Sequence, residues 1–308
     1  MNRVVEAAGR IRRLEVQGAT EIAFEAIRAV VEQMKLSEAS DRASALRELA
    51  EAVSILSGSR ETEPCMRNSL RFLNLSVRSS DWRSLGELNE LLGGTADRLL
   101  RVFSEALRKI GEIGSMRLSG GVRVLTHCHS SAVSRIFKES KARGNDFEVV
   151  CTETRPLFQG RRTARELLEN GIKATMIVDS AVGYFMPDVD MVLVGCDAIT
   201  SQGSVVNKVG TGLIALAARD AGVPFHVASE LMKFDPETLH GAAEPIEERP
   251  SIEVWAEGPY GLVVRNPAFD VTRSALVDGL ICEEGIVSLG SVVEAVRRSY
   301  PWIFEQSF

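Results

Sequence analysis

Cys128 stands in the run LTHCHSS (residues 125–131), flanked by two of the four histidines in the chain. The apolar GVRVL precedes this run and the helix-like AVSRIFKESKARG follows, so the thiol sits where a strand hands over to a helix. Free backbone amides and the positive helix end at such a junction lower a thiol pKa and favour a thiolate, the form that attacks or moves protons. A buried packing cysteine is the equal alternative, because that is the commonest fate of an unpaired one. His127 and His129 share one face of a strand, but no third ligand follows at a suitable spacing, so no metal site is expected.

Two further runs carry charge. TETRPLFQGRRTARELLENG takes Glu153, Arg155, Gln159 and Arg161 into a helix. Arginines and amides at a helix N-terminus suit a phosphate, and a solvated basic loop is the plain alternative. No GxxxxGK[ST] occurs in the chain. In VLVGCDAITSQGSVVNKVGT, Asp197 follows an apolar strand. A carboxylate at the mouth of a dry sheet tends towards a raised pKa and can then donate a proton near neutrality; a turn or N-cap aspartate is the alternative. Asn207 and Lys208 are read as opening the next helix, where their donors suit an anion. ASELMKFDP places Glu230 and Lys233, and NPAFDVT places Asp270, after other strands, as site or loop residues. A thiolate, a carboxylic acid and several cations at one sheet edge form an acid–base pair with phosphate ligands.

These residues need elements to hold them at one edge. Residues 1 to about 115 read as four or five helices and no strand. Leu99, Phe103, Ala106, Leu107, Ile110 and Ile113 form one stripe, as do Leu46, Leu49, Val53 and Leu56. From about residue 119 short Val- and Ile-rich runs recur: VRVLT, FEVVCT, ATMIVD, VDMVLVG, PFHVAS and GLVVRN. Helical segments separate them, including NKVGTGLIALAARDAG. The pattern predicts an α/β chain, with an all-helical N-terminal domain (residues 1–116) followed by a Rossmann-like parallel-sheet domain (residues 117–308). Ligands of such sheets collect at the carboxyl ends of the strands, where nearly every charged motif falls. The Pro/Gly-rich HGAAEPIEERPSIEVWAEGPYG is a lid or an interface element.

Composition bounds the function class. A formal net charge of −6 gives no general affinity for nucleic acid, and no apolar run is long enough to span a membrane. The five cysteines are far apart and include no CxxC, which argues against a disulfide framework and for a reducing cytoplasm.

As a set, LTHCHSSA, TETRPLFQGRRTA, VDSAVGYFM, GCDAIT with NKVGT, and NPAFDVT resemble one superfamily over nearly the whole chain. It joins the alpha, beta and delta subunits of translation initiation factor 2B, methylthioribose-1-phosphate isomerase and archaeal ribose-1,5-bisphosphate isomerase. The isomerases are set apart by a cysteine in THC and an aspartate in GAD, which match Cys128 and Asp197. THCHS and TETRP are nearer the ribose-1,5-bisphosphate form.

The resemblance implies an aldose–ketose isomerase that turns ribose 1,5-bisphosphate into ribulose 1,5-bisphosphate without metal or organic cofactor. Asp197 would protonate the ring oxygen, and Cys128 would carry the C2 proton to C1. Gln17, Gly18, Ala19, Thr20 and Arg60 would contact the substrate from the N-terminal domain. Ser130, Ser131, Ala132, Arg155, Asn207, Lys208 and Lys233 would do so from the sheet. Two positions depart from the archaeal pattern: Gln17 replaces the arginine of RGAG, and Ser131 replaces a lysine. SAVGYFM is more like the alpha regulatory subunit. The alternatives are a methylthioribose-1-phosphate or related pentose-1-phosphate isomerase, and a regulatory subunit sensing sugar phosphate or nucleotide. Expected partners are the phosphorylated pentose and further copies of the chain (a dimer or trimer of dimers), with no nucleic acid and no membrane.

Overall fold

Five helices fill the first part of the chain in the computed structural model, which describes residues 1–60 and 62–305. They are α1 (Asn2–Arg12), α2 (Ala19–Lys35), α3 (Arg42–Ser57), α4 (Pro64–Ser79) and α5 (Leu85–Ser115). Local chemistry marks their starts. Asp41 and Ser44 form a reciprocal capping box on α3, Pro64 opens α4, and the Ser84 hydroxyl accepts from the Glu87 amide on α5. Along α5 the expected stripe is buried at Leu99, Phe103, Ala106 and Ile110.

Alternation follows: β1 (Val122–Thr126), α6 (Ser131–Ala142), β2 (Phe147–Thr152), α7 (Gln159–Glu169), β3 (Lys173–Ile177), the short α8 (Val182–Phe185) and β4 (Met191–Val194). Then come β5 (Ala198–Ile199), β6 (Val205–Lys208), α9 (Thr211–Ala221) and β7 (Phe225–Ala228). The chain closes with β8 (Phe269–Thr272), β9 (Gly279–Cys282), β10 (Gly285–Val287) and α10 (Val292–Ser299). The main sheet has the order β10-β9-β7-β4-β1-β2-β3, parallel except for the β9–β10 pair. From β1 the chain builds outward through β2 and β3; from β4 it builds the other way through β7 and β9. The β1/β4 boundary is therefore the switch point, where a crevice opens beyond the strand ends.

The structure corrects two expectations of the sequence and adds a hairpin. Asn207 and Lys208 do not open a helix; they end β6, which pairs antiparallel with β5 and β8 in a separate three-stranded sheet, and α9 starts only at Thr211. GLVVRN forms no strand: Leu262 and Val263 are exposed, and the ladder with β6 begins only at Phe269. The β9–β10 hairpin lies in a segment not read as strand.

One apolar cluster runs through both parts of the chain, from Val4 and Phe103 to Val192, Phe234 and Ile303. A second joins α5 to α6 and the sheet through Ile110, Ile136 and Leu193. Helices α5 and α6 approach so closely that a Cβ at Gly114 would lie 2.4 Å from Ile136 Cδ1. The main-sheet region thus rests directly on the last helix before it.

Candidate active site

The β1/β4 switch point holds the two residues of the expected pair. Register pairs Leu125 of β1 with Val192 of β4, and Cys128 and Asp197 leave the carboxyl ends of these adjacent strands. A cavity opens there. It is lined by Cys128 and Asp197 and by Gln17, Gly18, Ala19, Thr20 and Arg60 from the helical part. Ser130, Ser131, Asn207, Lys208 and Lys233 line it from the sheet part.

Cys128 has a φ of 68°, unusual for a residue with a side chain, and neighbours hold it there. Its amide donates to Thr154 Oγ1 at 2.9 Å, and its carbonyl accepts from Thr163 Oγ1 at 2.7 Å. The Thr154 amide donates in turn to Asp179 Oδ1 at 2.7 Å. Because the Thr163 proton is committed to Cys128, His129 Nδ1 must be the donor in its 3.2 Å contact with Thr163 Oγ1. Burial, then Arg162, pushes the His129 pKa down to about 4, so the ring is neutral. His127 is also kept neutral by burial. Its Nε2 faces the Val209 carbonyl at 3.0 Å and therefore carries the hydrogen, while Nδ1 accepts from Thr152 Oγ1 at 2.6 Å. His127 is a strut behind the cysteine loop, and His129 lines the cavity beside Cys128.

The expected low thiol pKa is not present. Burial pushes Cys128 up to about 11; Lys208 pulls it down, and Asp197 pushes it up again. Helix α6 is capped by Ser130, whose hydroxyl accepts from Val133, so the cysteine lies before the cap and gains little from the helix end. Desolvation wins.

The Asp197 amide donates to the Val206 carbonyl at 2.8 Å, which ties this loop to β6. Between β4 and Asp197, Gly195 passes so near Ser130 that a Cβ would lie 2.5 Å from the serine Cβ. Lys233 Nζ donates to the Cys196 carbonyl at 2.8 Å and lies 3.3 Å from Glu230 Oε2. Burial opposes its charge, but Glu230 and Asp197 outweigh that and raise its pKa. Thr20 spends its hydroxyl on Glu230 Oε1 at 3.0 Å, and Asn207 donates to Thr211 Oγ1 at 2.9 Å. Arg60 is shared between Glu63 and Glu247, at 3.1 Å each.

Two expected ligands do not reach the cavity wall. The Ala132 side chain is buried in the α5–α6 cluster, because it lies on the inner face of α6. Arg155 donates to the Val254 carbonyl at 2.8 Å and lies 5.0 Å from the Phe158 ring, so it braces the 241–268 loop. Arg161 stacks on Phe158 at 3.7 Å. Asp270 accepts from the amides of Gly210 at 2.8 Å and Gly212 at 3.1 Å, and so caps α9.

Other wall residues went unread in the sequence. Glu63 is buried, with burial pushing its pKa to about 8. Arg249 and Glu253 come from the Pro/Gly-rich loop, and Arg162 from the first turns of α7. Only Arg162 carried a signal, since helical spacing separates the faces of adjacent Arg161 and Arg162. Among the described residues no cluster of three or more His, Cys, Asp or Glu could hold a metal ion.

Known proteins share this architecture and sequence. The model of the initiation factor 2 subunit family matches residues 15–288. A ribose 1,5-bisphosphate isomerase of Archaeoglobus fulgidus is 40% identical over 310 residues, covering 99% of this chain and 97% of that protein. The crystal structure of the Pyrococcus horikoshii translation initiation factor eIF-2B superposes with a TM-score of 0.82 at 31% identity, covering 94% of this chain and 98% of that one. The 5-methylthioribose 1-phosphate isomerase of the same organism gives 0.79 at 28% identity, covering 96% and 88%.

Proposed function

The chain belongs to the initiation factor 2 subunit family, and on that premise we propose that it isomerises ribose 1,5-bisphosphate to ribulose 1,5-bisphosphate. The observation that carries this reading is Cys128 and Asp197 leaving adjacent strand ends into a cavity walled by Arg60, Lys208 and Lys233. A phosphate ester at C1 blocks the free aldehyde, so the ring must be opened by acid. Asp197, protonated, gives its proton to the ring oxygen as the C1–O bond breaks. Cys128, as thiolate, takes the C2 proton and leaves an enol phosphate. The thiol then returns that proton to C1 while Asp197 recovers one from the C2 hydroxyl, which becomes the ketone. Both groups end as they began.

The high thiol pKa fits this scheme through proton counting. Thiol with carboxylate and thiolate with carboxylic acid differ only by one proton moved within the pair. Asp197 pushes the Cys128 pKa up, and that push vanishes when the carboxylate is protonated. Catalysis runs through the second form. Each acid–base step is worth about 10²–10⁴-fold.

One observation favours a second reading. Gln17 and Ser131 both line the cavity without charge, which suits a pentose 1-phosphate such as methylthioribose 1-phosphate. A regulatory subunit, by contrast, has no use for a proton-moving pair. Purified protein should turn over ribose 1,5-bisphosphate with a kcat/KM well above that for methylthioribose 1-phosphate. The reverse ranking would establish the second reading, and no turnover of either would remove the enzyme.

The proposal extends to a homo-oligomer in a reducing cytoplasm. Met176, Val178 and Tyr184 are exposed at and after edge strand β3, and all five cysteines are unpaired. No helix among the described residues is long and apolar enough to cross a membrane. Sedimentation as a monomer would remove the oligomer.

A further inference from the structure

Two phosphates call for two cationic partners, and ion pairing within the cavity decides which cations remain to serve. Each phosphate monoester carries about −1.5 to −2 charge at pH 7. The cationic side chains on the wall are Arg60, Arg162, Lys208, Lys233 and Arg249. Arg60 is held by Glu63 and Glu247, and Arg249 by Glu247 and Glu253 at 2.7 Å each. Lys233 is held by Glu230 and the Cys196 carbonyl. Lys208 and Arg162 make no ion pair among the described residues. These two reach the cavity from different elements, Lys208 from the end of β6 and Arg162 from α7. The charge of Lys208 acts on the Cys128 thiol, so it lies beside the reacting carbons. The charge of Arg162 acts on His129 and Glu166 instead, and its helix borders the cavity beside Pro156, Leu157 and Gln159. Arg161, next in the chain, is committed to the Phe158 ring.

Resting on the isomerase reading, we infer that Arg162 binds the second phosphate, the one on C5, and sets the preference for a bisphosphate. It supplies from α7 the charge that Gln17 and Ser131 lack. The neutral His129 beside it leaves the guanidinium as the charge that this wall presents.

The test compares wild type, Arg162→Gln and Arg162→Lys on ribose 1,5-bisphosphate and ribose 1-phosphate. Calorimetric binding of ribulose 1,5-bisphosphate and ribulose 1-phosphate is measured on the same proteins. Arg162→Gln should cut the bisphosphate-to-monophosphate ratio of kcat/KM about tenfold or more, through KM, as expected for a lost charge-assisted phosphate contact. Arg162→Lys should restore part of that ratio. An unchanged ratio in kinetics and in binding overturns the inference, and so does an equal loss on both ligands. Wild type that binds the bisphosphate without converting it removes the isomerase reading alone, and the binding ratio of Arg162→Gln then decides this one. Wild type that binds neither ligand overturns both.

Discussion

A thiol pushed up to about 11 makes Cys128 a base that works only in concert with its partner. Cys128→Ser should lower kcat by at least about 10²-fold, the smallest loss expected of an acid–base group, with the fold retained. A variant keeping a tenth of wild-type kcat would make the thiol structural. Iodoacetamide reports the ionisation directly. Alkylation of the empty enzyme at Cys128 should be slow at pH 7 and rise towards a midpoint near 11, because only the thiolate reacts. Asp197→Asn removes a charge that pushes the thiol up, so it should speed alkylation at pH 8 while abolishing turnover. Slower alkylation in that variant would mean that the two groups do not interact. The pair itself was legible from THC and GCD, but the sign of the thiol shift was not. A strand–helix junction advertises amides, whereas desolvation depends on what covers the sulfur. Glu63 was illegible for the same reason: before Pro64 it reads as a residue opening a helix, and only the assembled fold buries it.

Strand order is what turns two distant motifs into neighbours. The long apolar strands and their helices were readable because each buries a repeating pattern locally. Strands β5, β6 and β8 span two to four residues, and β8 joins β6 from far along the chain (Val205 pairs with Thr272), so no local period marks them. That small sheet places Asn207 and Lys208 on the cavity, a placement that a helix reading got right for the wrong reason. At the switch point the tolerance is a hydrogen atom. Gly195→Ala should drive its methyl into Ser130 and displace the α6 cap, costing about 1–3 kcal/mol as overpacking does. The expected outcome is a lower Tm together with a lower kcat; wild-type values for both would mean that β4 and α6 are looser than described.

Helical and sheet parts are held together at the site itself. Asn68 of α4, buried, donates to the carbonyls of Met232 at 2.9 Å and Phe234 at 2.7 Å, on either side of Lys233. Asn68→Ala should leave both carbonyls unpaired at about 1–3 kcal/mol each, lowering Tm and raising KM through a displaced Lys233. With a shared apolar cluster, thermal unfolding should show one transition; two separate ones would mean that residues 1–116 and 117–308 fold independently. The bond from Thr20 to Glu230 spans 210 positions, and it bears on how the protein is made. A chain emerging from the ribosome displays Gln17–Thr20 and Arg60 long before their counterparts exist, and contacts this remote form late. No prefix of the sequence owns a usable cavity, because β8, which pairs with the strand carrying Lys208, begins only at Phe269. During synthesis the apolar flank of the helices waits uncovered for more than a hundred residues, and that interval is where premature association would begin.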